Sequence, residues 1–437
     1  MKKIRRHACG IDIGSKKVFV SAEGREVRSF GTFTCDFLEL KNYLLDQEVE
    51  TVAMEATGVY WVILYDILKE AGLDVWLVDG RQTRQVPGRK TDVKDCQWIQ
   101  QLHSYGLLNR CYVATGKIKE LRSYMRLRED HLRSASMHVN HLQKSLIEMN
   151  IRLPEVLSQV HGKSGMAIIE AILSGCRDPH ELLSLCHTSI KKNKSELVLK
   201  ALEGHYTESG LFSLRQAHEA YHFYKCQIAA CDKQIELLLK EISKDKPAPP
   251  GGSAGRRKAI RHNRPNIDHL GEQMLKIFEG RDATRLSGIT DYNWLQLFSE
   301  IGSDLSRWPT EKHFTSWLGL APGQKNSGKR NRNVKRGKPN AGQIFRTTAQ
   351  SLLNSKNLAL GAFARRMRGR KGPALAIKAT ARKLAVQYWR LMVKGVDYVE
   401  QGIEYYEKIR TMQKHKHLQR LAIELHMDII PLEKNTS

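Results

Sequence analysis

Four carboxylates in the first hundred residues have the types and positions that phosphodiester chemistry requires: Asp12 in GIDIGS, Glu55 in VAMEATG, and Asp92 and Asp95 in KTDVKD. Asp12 falls inside an alternating apolar stretch, where a carboxylate is costly unless a cation or a strong donor meets it. Glu55 stands near the end of a later apolar run. Asp92 and Asp95 are three apart, so on a helix they share a face. Together such hard oxygens could hold two Mg²⁺ ions about 3.5 to 4 Å apart, one serving the attacking oxygen and one the leaving oxygen, with Mn²⁺ as a possible substitute. Taken singly, two of them have plainer readings: Asp12 as a strand-end or turn carboxylate and Asp92 as a helix N-cap beside Thr91.

A rival chemistry is written in the same residues. Asp-x-Gly-Ser after a first strand is also the phosphate-binding hairpin of sugar kinases and actin-like ATPases, but that fold needs a second such hairpin. The only later Asp-Gly, Asp79-Gly80, runs into a basic loop with no glycine-rich adenosine site behind it.

The C-terminal third offers a hydroxyl. In APGQKNSGKRNRNVKRGKP, Ser327 is followed by Lys329, Arg330, Arg332, Lys335, Arg336 and Lys338 with no acidic residue among them. In composition this is a phosphate-binding loop. A hydroxyl among guanidinium groups could attack phosphorus, because those groups stabilise the charge that builds on the transferred group. On composition alone a turn serine before glycine in a solvated basic loop is the better account of Ser327. Lys16 beside Asp12, and Arg84, Arg89 and Lys90 ahead of Asp92, are further candidates for nucleic-acid contacts.

The elements that must position these residues follow from periodicity. ACGIDIGSKKVFVSAEG and EVRSFGTF read as a β-hairpin turning at Glu23-Gly24, and a helix follows in CDFLELKNYLLDQ. TVAMEATG and LDVWLVDG read as strands, each followed by a helix, the second of these carrying Asp92 and Asp95. That order predicts a mixed sheet with helices on its faces, an α/β domain over residues 1–112. From Ile118 to Met149 apolar residues recur by threes and fours, interrupted by Arg128, and a second such seam runs from Leu214 to Ile242. Two coiled-coil helices are expected over 113–243, paired within one chain or between two, with a small helical insert at 151–208. Residues 244–268 read as a basic Pro/Gly linker, and 269–437 as a mostly helical C-terminal domain.

The whole chain carries 71 lysines and arginines against 46 acidic residues, a net charge of +25. That excess predicts a polyanionic partner, bound more weakly as salt rises. No apolar run approaches a membrane span and no leader is evident, so a cytoplasmic, nucleoid-associated protein without membrane contact is expected. Eight scattered cysteines with no C-x-x-C pair argue against structural disulfides. Cys176, His180, Cys186 and His187 have the residue types for zinc but none of the common spacings. His138 and His141, three apart on the first seam helix, have no third ligand in view.

Asp12 in GIDIG, Glu55 in MEATG and Asp92/Asp95 in RKTDVKD resemble the D-E-D-D set of the RuvC-like, RNase H-like domain in the DEDD transposases of insertion sequence family 110, a group that includes Piv-type DNA invertases and RNA-guided bridge recombinases. The resemblance extends to the heptad helices and to Gly319-Leu320-Ala321-Pro322 with Ser327-Gly328. It departs at the insert and linker, and at Leu286-Ser287-Gly288-Ile289-Thr290, where a Pro-Gly-Ile/Val-Gly turn is usual. It implies that Ser327 becomes joined to a DNA 5′ phosphate, that the four carboxylates hold Mg²⁺, and that donor and target DNA are read through a non-coding RNA. It further implies a dimer or tetramer with a composite site. The alternative is a structure-selective nuclease of the Holliday-junction type, in which Ser327 only binds.

Overall fold

The computed structural model describes residues 3–83, 91–247, 259–260, 262–322, 339–355, 358–395 and, with gaps, 408–429. The chain divides into two compact units, Met1–Val113 and Ala114–Ser437.

The first unit is built on five strands: β1 (Ala8–Ile13), β2 (Val18–Ala22), β3 (Arg28–Phe30), β4 (Thr51–Glu55) and β5 (Asp74–Val78). Their order in the sheet is β3-β2-β1-β4-β5, with β1, β2 and β3 antiparallel and β1, β4 and β5 parallel. The expected hairpin is thus three strands rather than two. Gly14-Ser15-Lys16-Lys17 closes a tight turn through the Gly14 N–H to Lys17 carbonyl bond of 2.9 Å, and the chain reverses again at Gly24, whose φ of +73° suits glycine. The first reversal falls in the polar Gly14-Ser15-Lys16-Lys17, where the apolar alternation shifts from odd to even positions. Helices α1 (Thr34–Asp46), α2 (Trp61–Glu70) and α3 (Asp92–Ser104) cover the sheet.

Alternation along β1 decides which face does what. Cys9, Ile11 and Ile13 pack with Phe37, Leu40 and Leu44 of α1 and Leu64, Tyr65 and Leu68 of α2. Gly10 and Asp12 take the other face, as residues two apart on a strand must, and there α3 lies directly on the strand. A Cβ at Gly10 would stand 2.3 Å from both the Cys96 carbonyl oxygen and the Gln100 nitrogen, so only glycine lets the helix approach so closely. Ala53 on β4 joins the same face, packed with Ile99 and Leu102 of α3. Two helices on one face and one on the other make the mixed, RNase H-like α/β layer that the strand order called for.

The second unit is helical. Helices α4 (Gly116–Glu148) and α9 (Glu208–Ser243) carry the two heptad seams and pair antiparallel within the chain, for Leu121 and Met125 share a core with Ile235 and Leu238, while Leu142 and Leu146 share another with Leu214 and Ala217. Between them lie α5 (Leu153–Val156), α6 (Lys163–Leu173), α7 (Pro179–Ser184) and α8 (Thr188–Leu202), whose Ile168, Ile169, Ile172, Leu182 and Val198 complete the second of those cores. The remaining helices, α10 (Leu270–Ile277), α11 (Asp291–Ile301), α12 (Glu311–Trp317), α13 (Asn340–Leu352), α14 (Ala359–Lys371) and α15 (Pro373–Lys394), surround Trp294, Phe298, Phe314, Phe345 and Tyr388. The diverged LSGIT segment still forms a turn: Gly288 has φ +79° while Leu286 and Ile289 are buried, and Thr290 caps α11.

Arg128 is the one charged residue of the first seam and is only 1% exposed. Its Nε donates to Asp232 Oδ1 of α9 at 2.5 Å, its Nη1 to the Tyr292 hydroxyl at 2.8 Å and its Nη2 to the Asn263 carbonyl at 3.1 Å. Asp232 also accepts from the Asn266 N–H at 2.9 Å. Breaking a buried ion pair this completely hydrogen-bonded would leave one charge uncompensated, whereas its net gain over apolar residues of similar volume is small.

Candidate active site

β1 and β4 run parallel with Gly10 opposite Ala53 and Ile11 opposite Met54, so Asp12 and Glu55 follow at the next step at the ends of adjacent strands. Both lie on the face that α3 covers, since each is two residues beyond a residue, Gly10 or Ala53, that touches α3. Both are half-buried. The helix begins at this edge: Thr91, not Asp92, is its N-cap, the Thr91 hydroxyl accepting from the Lys94 N–H at 3.4 Å. Asp92 and Asp95 are therefore released from capping and occupy the first turn, where the positive end of the helix dipole favours carboxylates.

Cys96 reports how closely these groups converge. Burial above all, then the negative field of Asp12 and more weakly that of Asp95, pushes its thiol up to about 12. The thiol is an apolar spacer between strand and helix, and Asp12 and Asp95 flank it. Glu55 is positioned by its own neighbours. The Thr83 hydroxyl, itself buried, donates to Glu55 Oε2 at 2.6 Å, and a Cβ at Gly80 would come within 2.3 Å of Glu55 Oε1. Thr83 and Gly80 do not stand out in the sequence; a hydroxyl 28 residues away in the chain has no local signature.

The four carboxylates thus share one edge of one sheet face, but no three of them bring oxygens within 4.8 Å of one another. The donor set is all hard oxygen, partly buried and of one sign, which suits a small divalent cation that would draw the groups inward. The rival phosphate-hairpin reading loses its second aspartate: Asp79 is engaged by Arg81, whose Nε lies 2.9 Å from Oδ1, and this hydrogen bond holds the Asp79 carboxyl below its usual range. Lys16 is exposed in the turn after Asp12, whereas Arg84, Arg89 and Lys90 lie outside the described residues.

Ser327, with Lys329, Arg330, Arg332, Lys335 and Arg336, also lies outside the described residues, but the helices that flank its segment lie within them. A Cβ at Gly342 in α13 would stand 2.2 Å from the Leu318 carbonyl at the end of α12, and Arg346 donates to the Gly319 carbonyl at 3.4 Å. The end of α12 and the first half of α13, between which segment 323–338 falls in the sequence, therefore pack against each other. Beside the start of α13, a groove of about 290 Å³ is lined by Met125 and Ile344 together with Arg126, Glu129, Glu300 and Asn340. Arg126 makes a two-pronged contact with Glu300, both bonds 2.9 Å, and Asn340 donates to Glu300 Oε1 at 3.2 Å, which ties the first residue of α13 to this groove.

The zinc-type residues of the insert are not gathered: Cys176 contacts Glu181 at 3.3 Å, and the His187 ring contacts Ser189 at 2.9 Å. His138 stacks on Tyr224 with ring centroids 5.6 Å apart. Among the described residues, the group whose ligand atoms do converge is Glu170, His218 and His222.

Two family models match the chain. A transposase model of the DEDD type named for IS110 matches residues 9–151, and the model of the transposase IS116/IS110/IS902 family matches 282–364. The first range contains all four carboxylates and the second contains Ser327. Together they span just over half of the chain, which belongs to the IS110 family of transposases, enzymes that cut and transfer DNA. A domain of the DEDD type works with a divalent cation. No curated protein matches the chain. Among the described residues no helix is long and apolar enough to cross a membrane.

Proposed function

We propose that this transposase cuts and rejoins DNA through a covalent 5′-phosphoserine on Ser327, with Asp12, Glu55, Asp92 and Asp95 holding Mg²⁺. The observation that carries the reading is the placement of Asp12 and Glu55 on adjacent strand ends beneath the helix whose first turn bears Asp92 and Asp95. When bound there, the divalent cation supplies Lewis-acid stabilisation of the phosphate oxygens. Thr83 keeps the Glu55 carboxylate oriented, and the turn carrying Lys16 offers a cation to the backbone of the DNA entering beside Asp12.

Ser327 Oγ attacks phosphorus as the bond to the 3′ oxygen breaks; the serine gives up its proton and the departing 3′ oxygen takes one. The phosphoserine ester retains the energy of the broken bond, so attack by another 3′ hydroxyl rejoins DNA without ATP. Lys329, Arg330, Arg332, Lys335 and Arg336 hold the phosphate backbone around the serine, and Arg84, Arg89 and Lys90 do so ahead of α3. The two sites fall in separate units of one chain, and the family resemblance has them meet as a composite site in a dimer or tetramer. The same resemblance supports a non-coding guide RNA as the reader of donor and target sequence, to which the net charge of +25 is suited.

The test is a suicide substrate. Nicked, end-labelled DNA is incubated with the protein, the RNA encoded beside its gene and Mg²⁺, and run on a denaturing gel beside Ser327→Ala and Asp12→Ala. The expected result is a Mg²⁺-dependent protein–DNA adduct lost in both variants. Free cleaved ends that persist in Ser327→Ala would leave a hydrolytic, junction-type nuclease instead, and an adduct formed without the RNA would remove the guide.

A further inference from the structure

The insert and the long hairpin meet at a second cluster of ligand-type residues with a different chemistry. His218 and His222 are one turn apart on α9 and so present both imidazoles to the same side, where Glu170 of α6 lies. Glu170 Oε1 is 3.5 Å from His218 Nε2 and 3.9 Å from His222 Nε2, and the two imidazole centroids are 4.4 Å apart. All three ligand atoms lie within 4.8 Å of one another. Donors on a tetrahedral zinc with bonds of about 2.0 to 2.1 Å are separated by roughly 3.4 Å. One of the two distances to Glu170 already has that value, and the other is reached by a small rotation of the half-exposed His222 and Glu170 side chains.

His218 adds an independent observation. Its Nε2 is shielded from solvent and has no hydrogen-bond partner, although it points at Glu170. A buried ring nitrogen without a partner is costly, and a lone pair aimed at a cation would resolve it. The backbone around the cluster is firm: Ile168, Ile169 and Ile172 of α6 pack into one core with Leu214 and Ala217 of α9.

We propose that Glu170, His218 and His222 form a site for a borderline divalent transition metal, zinc being the reference ion, that clips α6 of the helical insert to α9 of the hairpin. Two imidazoles and one carboxylate select against Mg²⁺, which takes oxygen ligands, and leave a fourth position for water or a partner's side chain. The chain would then carry two metal sites of opposite preference: an all-oxygen set at the sheet edge and a nitrogen-rich one in the insert.

The test uses the full chain, stripped with chelator and dialysed into excess Mg²⁺, which occupies oxygen-only sites. Co²⁺ is titrated as the probe and read by its visible d–d bands, and Zn²⁺ uptake is measured by elemental analysis. The expected result is one Zn²⁺ per chain for the wild type, the loss of that equivalent in His222→Gln and Glu170→Gln, and a melting temperature that Zn²⁺ raises by a few degrees in the wild type only. His222 and Glu170 are half-exposed, so both variants fold; His218→Asn, at the least exposed member, serves as a third check. Equal Zn²⁺ content in the wild type and the two exposed-site variants, or no uptake by the wild type at micromolar free Zn²⁺, overturns the proposal and leaves a histidine–carboxylate ion pair.

Discussion

The edge of the first unit's sheet and the middle of the second unit's hairpin both place charged side chains against an apolar core, and they do so in opposite ways. At the hairpin, Arg128 meets Asp232, Tyr292 and the Asn263 carbonyl, a circuit of opposite charges complete within the chain. At the sheet edge, Asp12 and Asp95 bring charge of one sign to the Cys96 thiol, with Glu55 at the end of the adjacent strand and Asp92 in the first turn of α3. A closed circuit serves architecture, because removing one member strands the other. Carboxylates of one sign repel when gathered, and a divalent cation is the partner their oxygens suit.

The largest expected effect separates these two kinds of site. Asp12→Asn should lower DNA cleavage by about three orders of magnitude, the scale of several kcal/mol of lost transition-state stabilisation, while the melting temperature stays level or rises. A cleavage-dead variant that is also markedly less stable would mean that Asp12 is structural and would collapse the contrast. Arg128→Ala should do the reverse, costing about 3 to 5 kcal/mol of stability through the orphaned Asp232. Replacing both partners, Arg128→Met with Asp232→Leu, should recover most of that loss in a denaturant melt. If the double variant is no better than the single one, the pair contributes net attraction.

A third prediction concerns a buried base. His103 on α3 is fully buried, its Nε2 lies 2.8 Å from the Thr51 hydroxyl, and its ring packs against Trp76 with centroids 5.4 Å apart. Burial first, and then Arg5, push it from 6.5 down to about 4. The fold therefore holds the neutral ring, while the unfolded chain takes up a proton below pH 6.5. Stability contributed by this group is present above that value and falls as pH drops toward about 4, by up to about 3 kcal/mol. Melting curves of the wild type and His103→Gln across this window should differ in slope, with the variant flatter. Parallel curves would show that the ring is protonated in the fold, and that α3 sits on the sheet less tightly than Gly10 demands.

The smallest effect sharpens the description of the site itself. Thr83→Val removes the 2.6 Å bond to Glu55 at nearly constant volume, and should slow cleavage by about tenfold, near 1.4 kcal/mol, without changing which metal supports it. Thr83→Ser should restore the rate. A rate unchanged in Thr83→Val would mean that Glu55 is oriented by bound metal alone.

Much of the site and of its scaffold is legible in the amino-acid order alone. Asp12 inside an apolar strand, Asp92 and Asp95 on one helix face, the seam from Ile118 to Met149 and the lone Arg128 within it are all local signals, written in spacings of two, three, four and seven. The insert's metal-type residues show the opposite case. Cys176, His180, Cys186 and His187 are close in sequence and of suitable types, yet they do not converge. His218 and His222 carry a helical spacing that is itself a signal, but Glu170, 48 residues before His218, has no meaning without the packing of α6 on α9.

The sequence by itself determined most of the strand and helix order, though not the split of the first strand into β1 and β2, the acidic set with its residue types, the basic excess and the two heptad seams, because periodicity and composition act through near neighbours along the chain. Tertiary structure alone decided that the seams pair antiparallel within one chain, and that Thr83 reaches Glu55. It also decided that α3 rests against Gly10, so that its first turn meets the strand ends, and that two histidines find a glutamate from another helix. Those are contacts across long stretches of chain, set by how apolar faces bury one another, and no local spacing records them.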